Sequence, residues 1–179
     1  MKKTLLIILT VIAVLGIGIY IFFRITLNNT KQFSPEQTIR YSESDATVSI
    51  FYCRPSKKDR VIFGNLVPYG QWWRTGANEP TTITTSKALI INNQTLKAGK
   101  YHVVTIPQAT EWTVVFNSSI PFWGTSYQPK ADVLRVQAPV ENLTETVEMF
   151  TIAFEKEAGK DVIAFMWDQT KVVVPFAVK

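Results

Sequence analysis

The sequence predicts an all-β body, an antiparallel β-sandwich or jelly-roll-like barrel, preceded by one N-terminal transmembrane helix. Three observations predict it. Residues 5–23 form an uncharged apolar run. After residue 35, apolar side chains alternate with polar ones, as half-buried strands require, and helical spacing is hard to find. Turn-forming residues then punctuate the chain every ~8–15 residues, the spacing of short strands in sandwiches and barrels.

The apolar run comes first. Only Thr10, Gly16, Gly18 and Tyr20 soften it. At 1.5 Å per residue, its length is about 28 Å, close to the thickness of a hydrocarbon core. It ends in Tyr20-Ile21-Phe22-Phe23-Arg24, without the small-x-small site of a cleaved leader, and no cysteine follows closely enough for a lipid anchor. The sequence favours a retained signal anchor; the alternative is a signal peptide removed on secretion. Lys2 and Lys3 before the run are nearly balanced by Arg24 and Lys31 after it, and the α-amino group tips the N-terminus inward. The body is then expected outside the cytoplasmic membrane. Residues 1–24 are the expected anchor, 25–35 a polar tether, and 36–179 a single β domain.

Within the body, 47–53 alternates with Val48, Ile50 and Tyr52 on one face, and Arg54-Pro55-Ser56 breaks it. Val61-Ile62-Phe63 is a short apolar run stopped by Gly64, and 71–80 reads as loop. Residues 81–86 are rich in β-branched side chains. Strand 88–91 leads into a tight turn at Asn92-Asn93. Strands 101–106 and 112–117 are followed by 132–137. A terminal meander is expected from strands 146–155, 162–167 and 172–178, with turns at 157–160 and 168–170. Pro175 argues for an edge position of the last strand.

Composition limits the function. The net charge is +5, but Lys2, Lys3 and Arg24 belong to the anchor, leaving sixteen basic against fourteen acidic side chains in the remainder. That balance excludes a nucleic-acid reader, whose affinity comes from many phosphate contacts. Cys53 is the only cysteine, so the chain holds no internal disulfide. It reads as a small strand residue; a catalytic thiolate would need an activating partner. No phosphate loop, His-Glu-x-x-His helix or Gly-x-Ser-x-Gly elbow is present, and no metal or cofactor is expected. His102 is the only histidine, and its strand setting suits a hydrogen-bonded residue near the core better than a general base. Glycosylation sequons stand at Asn28, Asn93, Asn117 and Asn142.

The densest polar and aromatic stretch is 54–79. Arg54, Arg60 and Arg74 lie there with Trp72, Trp73, Asn78 and Glu79. Guanidinium groups clamp carboxylate or phosphate and stack on aromatic rings. An exposed tryptophan would offer a platform to a sugar, Asn78 a hydrogen bond, and Glu79 an orienting carboxylate or an acid/base. The competing structural reading pairs the arginines with Glu79, Asp59 or Asp132, pins the loop to the body and caps the core with tryptophan.

Tyr52-Cys53-Arg54-Pro55, Arg60-Val61-Ile62-Phe63-Gly64, Val67-Pro68-Tyr69-Gly70 and above all Trp73-Arg74-Thr75-Gly76-Ala77-Asn78-Glu79 carry a resemblance. So do Ala98-Gly99-Lys100-Tyr101, Glu111-Trp112-Thr113-Val114 and Asp132-Val133-Leu134-Arg135-Val136. Over residues 34–179 the chain resembles an uncharacterised bacterial family, domain of unknown function 2911. The resemblance implies an exported, β-rich envelope protein with no established activity. Arg54, Arg60, Trp73, Arg74, Asn78, Glu79, Asp132 and Arg135 match the family's polar motif positions and form the candidate ligand-binding set. No catalytic role comes with them. His102 stands where relatives are expected to carry a small residue.

The leading expectation is thus a membrane-tethered, extracytoplasmic β protein that binds an anionic or glycan ligand. One alternative is a hydrolase using the carboxylates of Glu79 and Asp132. Another is a structural envelope component with a protein partner.

Overall fold

The computed structural model describes the backbone of residues 2–43 and 45–179, with the side chains of 2 and 27–29 undescribed. The chain forms two compact units, Met1–Phe33 and Ser34–Lys179.

The first unit is one helix, α1 (Lys2–Phe33). Its apolar side chains are exposed along its length, and it is long and apolar enough to cross a membrane. The hydroxyls of Thr10 and Thr26 donate back to the carbonyls of Leu6 and Phe22, each at 2.9 Å, so neither is left unsatisfied in an apolar run. The helix continues through 25–33, where the sequence reads as a tether. Nothing there breaks it until Pro35, whose ring disfavours helical backbone at Ser34. The Asn28 sequon falls among the undescribed side chains.

The strands of the second unit all pair antiparallel. Its strands are β1 (Glu36–Glu43), β2 (Ala46–Cys53), β3 (Thr82–Thr85), β4 (Leu89–Ile91), β5 (Gln94–Leu96), β6 (Gly99–Pro107), β7 (Glu111–Asn117), β8 (Asp132–Glu157) and β9 (Lys160–Val178). They are ordered β1-β2-β3-β6-β7-β8-β9-β4-β5. β1 was not expected from the sequence; its residues alternate only between exposed and half-buried, as an edge strand's do. Residues 61–63 form no strand, although Phe63 makes a single bridge to Val67.

β8 joins two halves of the sheet. Residues 132–139 pair with β7 and residues 140–157 with β9. The two strands expected at 132–137 and 146–155 are therefore one, bent by irregularities between Asn142 and Thr151 rather than cut by a turn. The turn expected at 168–170 is likewise a distortion within β9, where Asp168 takes a φ of 56°. Pro175 does not mark an edge, since β9 lies between β8 and β4. It is tolerated because pairing with β8 reaches only Val172 while pairing with β4 begins at Phe176. The turns at Asn92-Asn93 and Ala158-Gly159 have positive φ at both residues, as two-residue hairpins require.

The sheet folds over so that its halves share one core. Val48, Ile50 and Tyr52 of β2 are buried with Phe150 and Ile152 of β8 and with Phe165, Trp167 and Val174 of β9. The Tyr52 hydroxyl accepts the Ile152 N–H at 3.0 Å and donates to Gln37 Oε1 at 3.0 Å. Tyr41 of β1 lies 5.5 Å from the Phe154 ring and 5.0 Å from the Phe176 ring. Buried aromatic area of this kind supplies most of the driving force in a body without disulfides.

Candidate functional site

β6 divides the protein's polar chemistry between two faces. Tyr101 and Val103 point into the core. Alternation places His102 on the opposite, outer face. Strand register sets a row there: Phe51 faces Thr82, Thr82 faces His102, His102 faces Asn117, and Asn117 faces Asp132 across an irregularity in β7.

Two loop segments cover this row. On one side, 74–80 leads into β3. Trp73 pairs with Thr105 as if extending β3, its N–H 2.7 Å from the Thr105 carbonyl. Thr75 then turns at a φ of 56°, and Gly76 at 149°, where an added Cβ would sit 2.8 Å from the Cys53 carbonyl oxygen. Only glycine fits so close to backbone. Thr81 Oγ1 fastens the loop by donating to the Thr75 carbonyl at 2.7 Å.

On the other side, residues 118–131 leave β7 and return into β8 through a short 3-10 turn, Pro129–Ala131. Asn117 Nδ2 donates to the Gln128 carbonyl at 2.8 Å and to Asp132 Oδ1 at 2.7 Å. Gly124 N–H donates to the Asn78 carbonyl at 3.0 Å, and a Cβ on Gly124 would meet that oxygen at 2.8 Å and the Arg74 Cδ at 3.2 Å. Residues 124–128 thus reach from the 74–79 segment, beside β3, to β7. In doing so they cross β6, where His102 lies.

Asp132 braces the cover. It accepts from Asn117, from the Tyr127 hydroxyl at 2.7 Å and from Arg135 Nε at 2.8 Å, while Arg135 Nη2 reaches the Tyr127 oxygen at 2.9 Å. Burial and the hydrogen bond to Asp132 raise the Tyr127 hydroxyl's pKa. Its ring packs on Trp72, centroids 5.6 Å apart.

The eight sequence-derived site residues divide accordingly. Arg74, Asn78, Glu79, Asp132 and Arg135 gather around the cover. Trp73 turns inward, against Phe150 and Trp167 in the core. Arg54 reaches β8, donating to the Phe150 carbonyl at 3.2 Å and to Thr151 Oγ1 at 2.8 Å. Arg60 ties down its own loop through the carbonyls of Ser56 and Lys57. The guanidinium groups therefore do not meet at one point.

Three polar groups near the cover stand out. Arg74 is half-buried, and among the described residues its guanidinium has neither hydrogen bond nor ion pair. Asn78 Nδ2 is buried without a hydrogen-bond partner. His102 is fully buried with both ring nitrogens unpartnered, and burial lowers its pKa to about 4, so the imidazole is neutral at pH 7. A buried polar atom without a partner costs on the order of 1–3 kcal/mol, and Asn78 and His102 hold three of the four such side-chain atoms among the described residues, the fourth being Trp112 Nε1 in the core. Cys53 has a different role. Its thiol donates to Glu79 Oε2 at 3.3 Å, and burial followed by the neighbouring Glu79 carboxylate pushes it up to about 12. That is a structural thiol, not a nucleophile.

The sequence directed attention to Arg74 and Asn78 but away from His102, and it did not single out Tyr127 or the covering loop. The available signal was polar side chains, His102 and Asn117, inside strongly apolar strands. The Asn117 sequon carries no accessible amide, being fully buried and bonded, whereas Asn93 and Asn142 are exposed. A cavity of about 510 Å³ opens elsewhere, between the Asn92-Asn93 turn, the Gly159 hairpin and β9, with none of the eight residues on its wall.

No curated protein and no solved structure matches the chain. Residues 34–176 match one family model, which spans the whole β unit except its last three residues. By that match, the chain belongs to the family described as protein of unknown function (DUF2911).

Proposed function

We propose that this protein is tethered in the cytoplasmic membrane through residues 5–23, with its body on the extracytoplasmic side of a bacterial envelope. There it binds an anionic ligand, an acidic glycan among them, on the outer face around Arg74. The apolar helix supports the tether. The observation that carries the binding reading is half-buried Arg74, whose guanidinium makes no ion pair among the described residues. A partly desolvated arginine attracts carboxylate or phosphate more strongly than one in open water. Trp72, 40% exposed and packed on Tyr127, offers the adjoining aromatic surface. Asp132 and Arg135 hold the cover, while Arg54, Arg60 and Trp73 hold the scaffold. Asp132 is already engaged at both oxygens by three donors, which favours a bracing role over general acid or base chemistry.

Calorimetry of the full chain in detergent, against acidic sugars, phosphate esters and neutral sugars, tests this. Binding of at least one anion is expected, with a loss of about tenfold or more in Arg74→Gln, the scale of a charged hydrogen bond. Absence of binding by every anion, or full affinity in Arg74→Gln, ends the reading.

A further inference from the structure

We infer that His102 and Asn78 form the hydroxyl-reading half of a site whose anion-reading half is Arg74. Its ligand class is then a hydroxylated anion, a sugar acid or a sugar phosphate. The inference rests on the anion-binding reading above and deepens it.

Arg74 and Asn78 both lie against Gly124 in the covering loop. His102 sits in the next part of the same row, on the strand that the loop crosses between Asn78 and Asn117. The complementarity is chemical. Arg74 offers only donors and one positive charge. Asn78 Nδ2 offers two N–H groups. A neutral imidazole offers one N–H and one bare nitrogen, which together match a hydroxyl that both accepts and donates. A plain carboxylate or phosphate satisfies the arginine but carries no neighbouring hydroxyl to accept from the Asn78 amide or to donate to the bare imidazole nitrogen. A hydroxyl near the anionic group satisfies both ring nitrogens. Discrimination of this kind is strong because the penalty falls on groups already out of water.

His102 stabilises nothing visible in the body. A methionine of similar volume in its place would remove two unpartnered polar atoms from the interior. Polar groups that conflict with their local setting are expected at functional sites. Entry requires residues 118–131 to lift. The Gly124 and Gln128 contacts must open, while Phe122, 90% exposed, holds nothing down.

The test compares four probes on the full chain in detergent: glucuronate, glucose 6-phosphate, cyclohexanecarboxylate and glucose. Glucuronate or glucose 6-phosphate should bind about tenfold or more tighter than cyclohexanecarboxylate, and glucose should not bind; the two hydroxylated probes separate carboxylate from phosphate as the anionic group. His102→Met should melt no lower than the wild type, retain cyclohexanecarboxylate binding and lose the tenfold preference. Asn78→Gly is the second variant; it keeps the φ of 55° while removing the amide, and should also narrow the preference. Equal affinity for glucuronate, glucose 6-phosphate and cyclohexanecarboxylate in the wild type, or an unchanged preference in His102→Met, overturns this inference and leaves the anion site standing. Failure of every anion to bind overturns both.

Discussion

The indoles of Trp73 and Trp167 stack with their centroids 5.7 Å apart and their planes within 15° of parallel. Trp73 comes from a loop beside β6 and Trp167 from β9, so the contact spans the two halves of the sheet. Its sequence neighbour, Trp72, points the other way, onto Tyr127 on the outer face. Adjacent tryptophans thus divide the work: one holds the core, and the other lines the candidate site.

Replacing them separately should show this. Trp73→Ala is expected to cost about 3–5 kcal/mol, as large aromatic truncations in a core do. Trp72→Ala should cost about 1 kcal/mol or less. Urea denaturation followed by circular dichroism measures both; similar losses would contradict the assignment of faces.

Asp132 should matter more than its arginine. Its side chain is 13% exposed against 48% for Arg135. Asp132→Ala leaves three donors without their acceptor and is expected to cost roughly 2–3 kcal/mol. Arg135→Ala removes a largely exposed partner and should cost below about 1 kcal/mol. Limited proteolysis should cut within 118–131 much faster in Asp132→Ala than in the wild type.

Acid should weaken the body in two stages. Burial lowers the folded pKa of His102 from 6.5 to about 4, so between these values the unfolded chain binds the proton and the folded one does not. Stability is therefore full above about pH 6.5 and declines toward pH 4, by up to about 3 kcal/mol. A second stage follows at lower pH. The carboxylates of Asp45, Glu148 and Asp161, whose pKa values are lowered chiefly by hydrogen bonds to Lys87, the Lys58 N–H and Lys156, then take up protons in turn. His102→Met should abolish the first stage and leave the second. Denaturant midpoints between pH 7 and 4 report the difference.

Cys53 should be silent to thiol reagents in the native protein. It is fully buried, and its pKa is pushed up to about 12. Labelling by iodoacetamide at pH 8 is expected only after denaturation. Rapid native labelling would mean that the 74–80 loop opens readily above Glu79.

Much of the architecture is legible in the chain. Alternation placed Val48, Ile50 and Tyr52 inward, and Asn92-Asn93 and Ala158-Gly159 behaved as tight turns. The failures share a physical cause. By sequence alone Asp168 marks a turn and Pro175 an edge strand, but a long twisted strand absorbs the first as a local distortion and places the second between two partners. The site was legible in its residue types and not in its grouping. Trp73 and Arg74 are neighbours in sequence, yet Trp73 packs into the core while Arg74 lies against the Gly124 loop, and Arg54 reaches β8 from a separate segment. His102 reads as a hydrogen-bonded residue near the core; it is buried, but neither ring nitrogen has a partner, which strand alternation alone does not reveal.

The last strand has a consequence for how the molecule could be taken apart. β9 is one contiguous peptide, Lys160–Val178, entered from β8 through the exposed Gly159 hairpin, and it fits between β8 and β4. A body lacking β9 would keep an open slot between β8 and β4, in the space that Phe165, Trp167 and Val174 fill. Supplied in trans, the missing peptide should restore the body, making this protein a natural two-piece reporter in which strand insertion is the signal.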